Sequence, residues 1–126
     1  MTNKPVMIVT GTRKGIGKYI ADYYTKKKYQ VIGCSRREID FELENYHHIC
    51  LDVSEENSVK KMFTEIRKKY GRLDVLINNA GIASMNHSLI TPISTVRKIL
   101  ETNVIGTFLF SRESAKIMKI NNFGRK

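Results

Sequence analysis

The stretch Thr10-Gly11-Thr12-Arg13-Lys14-Gly15-Ile16-Gly17 sets three glycines between the apolar run Val6-Met7-Ile8-Val9 and a helix-like pattern. A strand that runs through such a turn into a helix has the makings of a dinucleotide-phosphate site. The glycines permit a tight turn and let the backbone approach a diphosphate, and the new helix offers unpaired N–H groups to that anion. The spacing is G-x-x-x-G-x-G rather than the common G-x-G-x-x-G. No G-x-x-x-x-G-K-[ST] is present, which argues against an NTPase P-loop.

Further polar residues fall where strands should end. Asp52-Val53 follows the apolar run His48-Ile49-Cys50-Leu51, and Asn78-Asn79-Ala80-Gly81 follows Leu73 to Ile77. Ser35-Arg36-Arg37 follows Val31-Ile32-Gly33-Cys34. Ser54 is a natural helix cap, which leaves Asp52 free for a ligand. His47-His48 could suggest a metal, but neighbouring strand residues point to opposite faces and no third ligand is evident, so no metal is expected. Ser84 and His87 follow the Asn-Asn-Ala-Gly loop and could face a substrate, although ordinary loop polarity explains them equally well.

The elements that position these residues alternate. Val6 to Thr10 is an unbroken apolar strand, suited to burial on both faces. Ile16, Ile20, Tyr23 and Tyr24 recur at helical steps and predict an apolar helix face. Val31–Cys34 and His48–Leu51 predict the second and third strands, with only a charged, uncertain stretch from Arg36 to Asn45 between them. Val59, Met62, Phe63, Ile66 and Tyr70 form the stripe of a helix closed by Gly71. Leu73 to Ile77 is the fourth strand. A long helix is expected from about Ser94 to Met118, with Val96, Leu100, Val104, Thr107, Ser111, Ala115 and Met118 along one side. Gly106 inside it costs about 1 kcal/mol relative to Ala and predicts a close packing contact. The order implies an α/β fold: a parallel sheet with right-handed crossovers and helices on both faces.

Length and composition agree with one globular domain spanning residues 1–126, with 41% hydrophobic and 27% charged residues. No apolar run approaches the ~20 residues of a membrane span. The start, Met1-Thr2-Asn3-Lys4-Pro5, lacks a secretory apolar stretch, so a cytoplasmic protein is expected. Cys34 and Cys50 read as reduced, strand-buried thiols. The net charge of +10 is spread over clusters such as Lys26-Lys27-Lys28, Lys60-Lys61, Arg67-Lys68-Lys69 and Arg125-Lys126. Those clusters fall mostly on polar helix faces or ends, and no nucleic-acid-binding module is matched. A positive field nevertheless favours anionic ligands such as a phosphorylated cofactor.

With the glycine turn, Asp52-Val53, Asn78-Asn79-Ala80-Gly81 and Asn103 within Thr102-Asn103-Val104-Ile105-Gly106, the whole chain resembles the short-chain dehydrogenase/reductase family. The resemblance implies a Rossmann-type sheet, its first four strands in the order 3-2-1-4. It implies that Gly11, Gly15, Gly17 and the Ile16 backbone accommodate the diphosphate side of a nicotinamide cofactor, with Thr12, Arg13 and Lys14 of the same turn also among the cofactor-binding residues. Asp52 would accept from the adenine amino group with Val53 beside it. Asn79, Ala80 and Gly81 would line the ribose region, while Thr10 and Asn78 tie strand ends together. Members specific for NAD end strand two with an acid that takes the ribose 2′-hydroxyl. Ser35 stands there instead, followed by Arg36, and guanidinium suits a 2′-phosphate. Lys14 is a second basic position of NADP-preferring members, so NADP(H) is expected over NAD(H).

The family's chemistry uses an Asn, a Ser and a Tyr-x-x-x-Lys pair, and only the Asn has a match, at Asn103. No Tyr follows Tyr70. Tyr24-Thr25-Lys26-Lys27-Lys28 fits the string but sits at the far end of the first helix, away from the strand ends, and is taken as chance. The expectation is therefore the truncated cofactor-binding half of an NADP-dependent carbonyl or alcohol oxidoreductase, inactive alone. The alternative is a non-catalytic NADP(H)-binding or assembly protein. An exposed strand-four edge, or the last helix, which resembles the family's subunit-contact helix, predicts self-association.

Overall fold

The computed structural model describes residues 3–121. The basic pair Arg125-Lys126 and the start of a fifth strand that the family resemblance would place at the chain's end lie outside them. Four parallel strands, β1 (Val6–Thr10), β2 (Gln30–Ser35), β3 (Tyr46–Cys50) and β4 (Val75–Ile77), form one sheet in the order β3-β2-β1-β4. This is the expected Rossmann-type α/β arrangement. The register aligns the carboxyl ends, with Thr10 opposite Cys34, Ser35 opposite Cys50 and Val9 opposite Ile77.

Side chains alternate across a strand, so β1 serves two cores at once. Val6 and Ile8 face a layer built from helix α2 (Glu56–Tyr70) and helix α4 (Gly106–Asn121), where Phe63 and Phe110 meet edge to face at 5.5 Å. Met7 and Val9 face helix α1 (Gly15–Lys26) on the other side. Helices therefore cover both faces.

Helix α2 has the expected stripe: Val59, Met62, Phe63, Ile66 and Tyr70 are all buried, and the Gly71 N–H returns to the Arg67 carbonyl. Its start differs. Glu55, not Ser54, is the capping residue and makes no side-chain cap bond. The Ser54 hydroxyl instead donates to Asp52 Oδ1, a charge-assisted bond that closes a local turn ahead of the helix.

The other two helices depart from their predicted faces. In α1 the fully buried positions are Gly17, Ala21 and Thr25, with Ile20 and Tyr24 packed beside them, while Ile16 and Tyr23 face out. Small residues bring this helix close to the sheet, and that closeness outweighs apolar content. The long helix is continuous from Ile93 but carries a π turn: α3 (Ile93–Leu100) passes through Glu101–Ile105 into α4, with the Gly106 N–H bonded to the Glu101 carbonyl. Leu109, Phe110 and Ile117 are buried, whereas Val96, Leu100, Val104, Ser111 and Ala115 are not. A π turn interrupts the 3.6-residue phase, and burying three large apolar side chains outcompetes a Thr/Ser/Ala stripe.

The strand bounds shift modestly. Leu73 lies in the core before β4, and Asp74 bonds the edge of β1 through Val6 N–H. The 36–45 stretch contains no helix. Cys34 is buried and its thiol is pushed up to about 12, chiefly by desolvation. Cys50 is exposed, contrary to expectation, because it ends the outer strand β3.

Candidate functional site

The glycine turn joins β1 to α1 at the carboxyl edge of the sheet. Gly11 and Thr12 N–H groups both return to the Cys34 carbonyl, which closes the turn against β2. Gly15 adopts φ +66°, and a side chain at Gly17 would overlap the Gly11 carbonyl oxygen. Lys14 precedes α1 in extended conformation without a side-chain cap, and the first turn holds no acid. The first N–H groups of the helix thus point at the turn without an intrahelical partner, as an anion site requires.

The loop after β4 closes the other wall. Thr10 Oγ1 accepts from the Asn79 and Ala80 N–H groups at 2.9 and 2.8 Å, and Asn79 Nδ2 donates to the Gly11 carbonyl at 3.1 Å. Asn78 Nδ2 reaches Ser111 Oγ at 3.2 Å. Between the walls lies a cleft of about 330 Å³ lined by Gly11, Arg13, Lys14, Gly15, Ser35, Asn79, Ala80 and Gly81. Eight of the residues singled out in the sequence thus meet in one place.

The remainder lie around it. Thr12 is fully buried beneath the turn, its hydroxyl 2.6 Å from that of Tyr46. Ile16 is 72% exposed at the helix start. Asp52 is not as free as the Ser54 cap would have left it, since Oδ1 accepts both the Ser54 N–H and hydroxyl. Burial raises its pKa, but those two bonds, with the positive Arg36 and Lys98 nearby, outweigh it and hold the carboxyl below the usual range. The carboxyl is therefore held toward its ionised, acceptor-only form. Val53 is buried against Gly106 in the core rather than beside the cleft.

Asn103 sits in the π turn. Its amide accepts from Ile82 N–H and donates to the Ile82 carbonyl, both at 2.8 Å. Ser84 and His87 serve local turns, accepting from Asn86 and Leu89 N–H groups. His47 and His48 point to opposite faces, one to Tyr70 and the other to Ser35 and Tyr46. Lys98, whose charge acts on Asp52, and Tyr46 beneath the cleft are not marked in the sequence, and His48 is marked there only as one of a histidine pair. Tyr46 and His48 share one face of β3, but their partners Thr12 and Ser35 come from other elements.

Residues 5–125 match the short chain dehydrogenase family model. This chain belongs to the short-chain dehydrogenase family. Farnesol dehydrogenase of Aedes aegypti is 34% identical over 125 residues, covering 90% of this chain and 51% of that protein. An ElxO variant solved with NADPH bound superposes with a TM-score of 0.86 at 33% identity, over 94% of this chain and 52% of that one. A Leptospira borgpetersenii short-chain dehydrogenase solved with NAD+ gives a TM-score of 0.88 over 94% of this chain and 48% of its own, and its 21% identity speaks for the fold alone. The chain spans about half the length of the curated relatives it matches. As a family member it is built on an oxidoreductase scaffold whose solved relatives bind nicotinamide cofactors. Among its described residues no helix is long and apolar enough to cross a membrane.

Proposed function

We propose that residues 1–126 form the dinucleotide-binding domain of an NADP-dependent short-chain oxidoreductase acting on a carbonyl or alcohol, and do not transfer hydride by themselves. The observation that carries this reading is the uncapped start of α1 set behind the glycine turn, opening into the cleft. In this reading Gly11, Gly15, Gly17 and the Ile16 backbone form the diphosphate cradle, Arg13 and Lys14 bind the cofactor from the same turn, and the buried Thr12 supports the turn from beneath. The ionised Asp52 accepts from the adenine amino group, Val53 supports it from the core, and Asn79, Ala80 and Gly81 meet the ribose. Asn103 occupies the family's catalytic Asn position. The bound nicotinamide supplies or takes the hydride; the Tyr-x-x-x-Lys pair that would handle the proton has no counterpart at the strand ends of this chain.

The preference for NADP(H) rests on charge. Ser35 lines the cleft where NAD-specific members carry an acid, and Lys14 lines it from the turn. Arg36 follows Ser35 directly and offers paired donors to a 2′-phosphate. Fluorescence titration with NADPH and NADH tests this: NADPH should bind more tightly, and tighter NADH refutes it. Hydride transfer by the purified chain across a carbonyl panel would refute the inactivity.

A non-catalytic NADP(H)-binding or assembly role is the second reading, favoured by one observation. Among the described residues β4 is one of the two outer strands of the sheet, and Leu100, Val104 and Phe108 lie 53%, 56% and 57% exposed on the helix that follows. An open strand edge beside apolar side chains favours pairing with another chain. The expected result of light scattering is self-association, and a stable monomer at micromolar concentration overturns it.

A further inference from the structure

A line of polar side chains runs beneath the cleft from the glycine turn to the end of β2. Thr12 Oγ1 lies 2.6 Å from the Tyr46 hydroxyl, which lies 2.7 Å from His48 Nδ1. His48 Nε2 lies 2.8 Å from Ser35 Oγ, and Ser35 donates to the Arg37 carbonyl at 2.6 Å. Gly33 makes the line possible, since a side chain there would overlap the Tyr46 hydroxyl and Thr12 Oγ1.

The last bond fixes all the others. A carbonyl only accepts, so the single Ser35 proton goes to Arg37, and Ser35 must accept from His48 Nε2–H. Nδ1 is then the unprotonated nitrogen and takes the Tyr46 proton, which leaves the Tyr46 oxygen to accept from Thr12. Burial lowers the His48 pKa, more than the Arg37 carbonyl and Glu38 raise it, with His47 adding to the lowering; a neutral ring suits this pattern. What Ser35 still offers the cleft is a lone pair. A lone pair suits a hydroxyl donor and does not suit a phosphate oxygen.

We propose that His48 is a positioning residue for cofactor discrimination: the Arg37 carbonyl takes the Ser35 proton, and His48 Nε2–H, by occupying one Ser35 lone pair, orients the other toward the ribose 2′-hydroxyl. The proposal rests on the cleft's being the cofactor site. It adds a counterweight to Arg36: the arginine favours the 2′-phosphate, and the His48–Ser35 pair retains affinity for NAD(H).

The test is a double-mutant cycle with NADPH and NADH binding to the full chain. His48→Leu should weaken NADH about fivefold more than NADPH, the worth of one ordinary hydrogen bond. In a Ser35→Ala background the same change should leave the ratio of the two affinities where it was. A ratio unmoved by His48→Leu, or moved equally without the Ser35 hydroxyl, overturns the role of His48. Nitrogen NMR of the wild-type chain gives a measurement independent of any variant: the ring proton should be on Nε2, and a proton on Nδ1 overturns the assignment. If the wild type binds neither dinucleotide, the cofactor reading itself falls and takes this one with it. Binding of both with an unchanged ratio removes only the role of His48.

Discussion

Asn103 and Ile82 exchange two hydrogen bonds of 2.8 Å, the amide of one against both main-chain groups of the other. The pairing fastens the loop after β4 to the π turn. Asn103→Leu keeps the volume and removes both bonds, so it should cost about 1–2 kcal/mol of stability. Urea denaturation measures the loss, and amide exchange at Ile82 should accelerate ahead of the sheet. An unchanged Ile82 exchange rate contradicts the clasp.

Gly106 and Val53 set a second contact. A Cβ on Gly106 would stand 2.7 Å from Val53 Cγ2 and 3.2 Å from its Cβ. Ala in mid-helix is worth about 1 kcal/mol over Gly, yet overpacking costs about 1–3 kcal/mol, so Gly106→Ala should be neutral to destabilising. In a Val53→Ala background the 2.7 Å overlap with Cγ2 is gone while the contacts to Val53 Cβ and its carbonyl oxygen remain, so the same substitution should cost less than in the wild type. Thermal melts of the four proteins decide it, and a stabilising Gly106→Ala in the wild-type background sinks the argument.

These two contacts also show what the sequence made legible. The mid-helix glycine announced a close neighbour, though not which one. The four strands, α2 and its stripe were readable because apolar spacing and Gly71 agreed with the tertiary packing. The buried face of α1 was not, because Ala21 and Thr25 face the sheet through closeness rather than hydrophobicity, while Ile16 and Tyr23 lie outside. The π turn is invisible in the sequence for a related reason: a single inserted residue leaves no compositional trace yet breaks the phase of a stripe. The cleft residues were legible as motifs at strand ends. The Thr12–Tyr46–His48–Ser35 line was not, since it depends on the register that sets Gly33 of β2 opposite His48 and on the room this glycine leaves for the Tyr46 and Thr12 hydroxyls.

Arg36 gives the most direct check on cofactor choice. Its guanidinium is near enough to Asp52 to lower that carboxyl. Arg36→Asp replaces a donor pair by a repelling charge at the 2′ position and should weaken NADPH by more than tenfold, with NADH changed far less, since charge-assisted bonds are worth about 1.5–3 kcal/mol. Equal weakening of both cofactors would assign Arg36 to the general positive field instead.

Acidification should destabilise the chain in two stages. His47 and His48 are both lowered from 6.5, first by burial; Lys69 lowers His47 further while Glu65 opposes it. A histidine whose folded pKa lies below its unfolded one takes up protons more readily when unfolded, so stability rises with pH through that interval. Its contribution is complete above about pH 6.5 and disappears as pH falls through the folded value. Glu113 opens the second stage: burial raises its pKa, but Lys116 and Arg112 outweigh that and hold it below 4.5. Its contribution is present above the ordinary carboxylate range and is lost at more acid pH. Urea midpoints between pH 7.5 and 5.5 should therefore fall, and His47→Gln should flatten that first decline without touching the later one. Glu113→Gln should do the reverse. A His47→Gln protein that loses stability over pH 7.5 to 5.5 as steeply as wild type would remove His47 from the first stage.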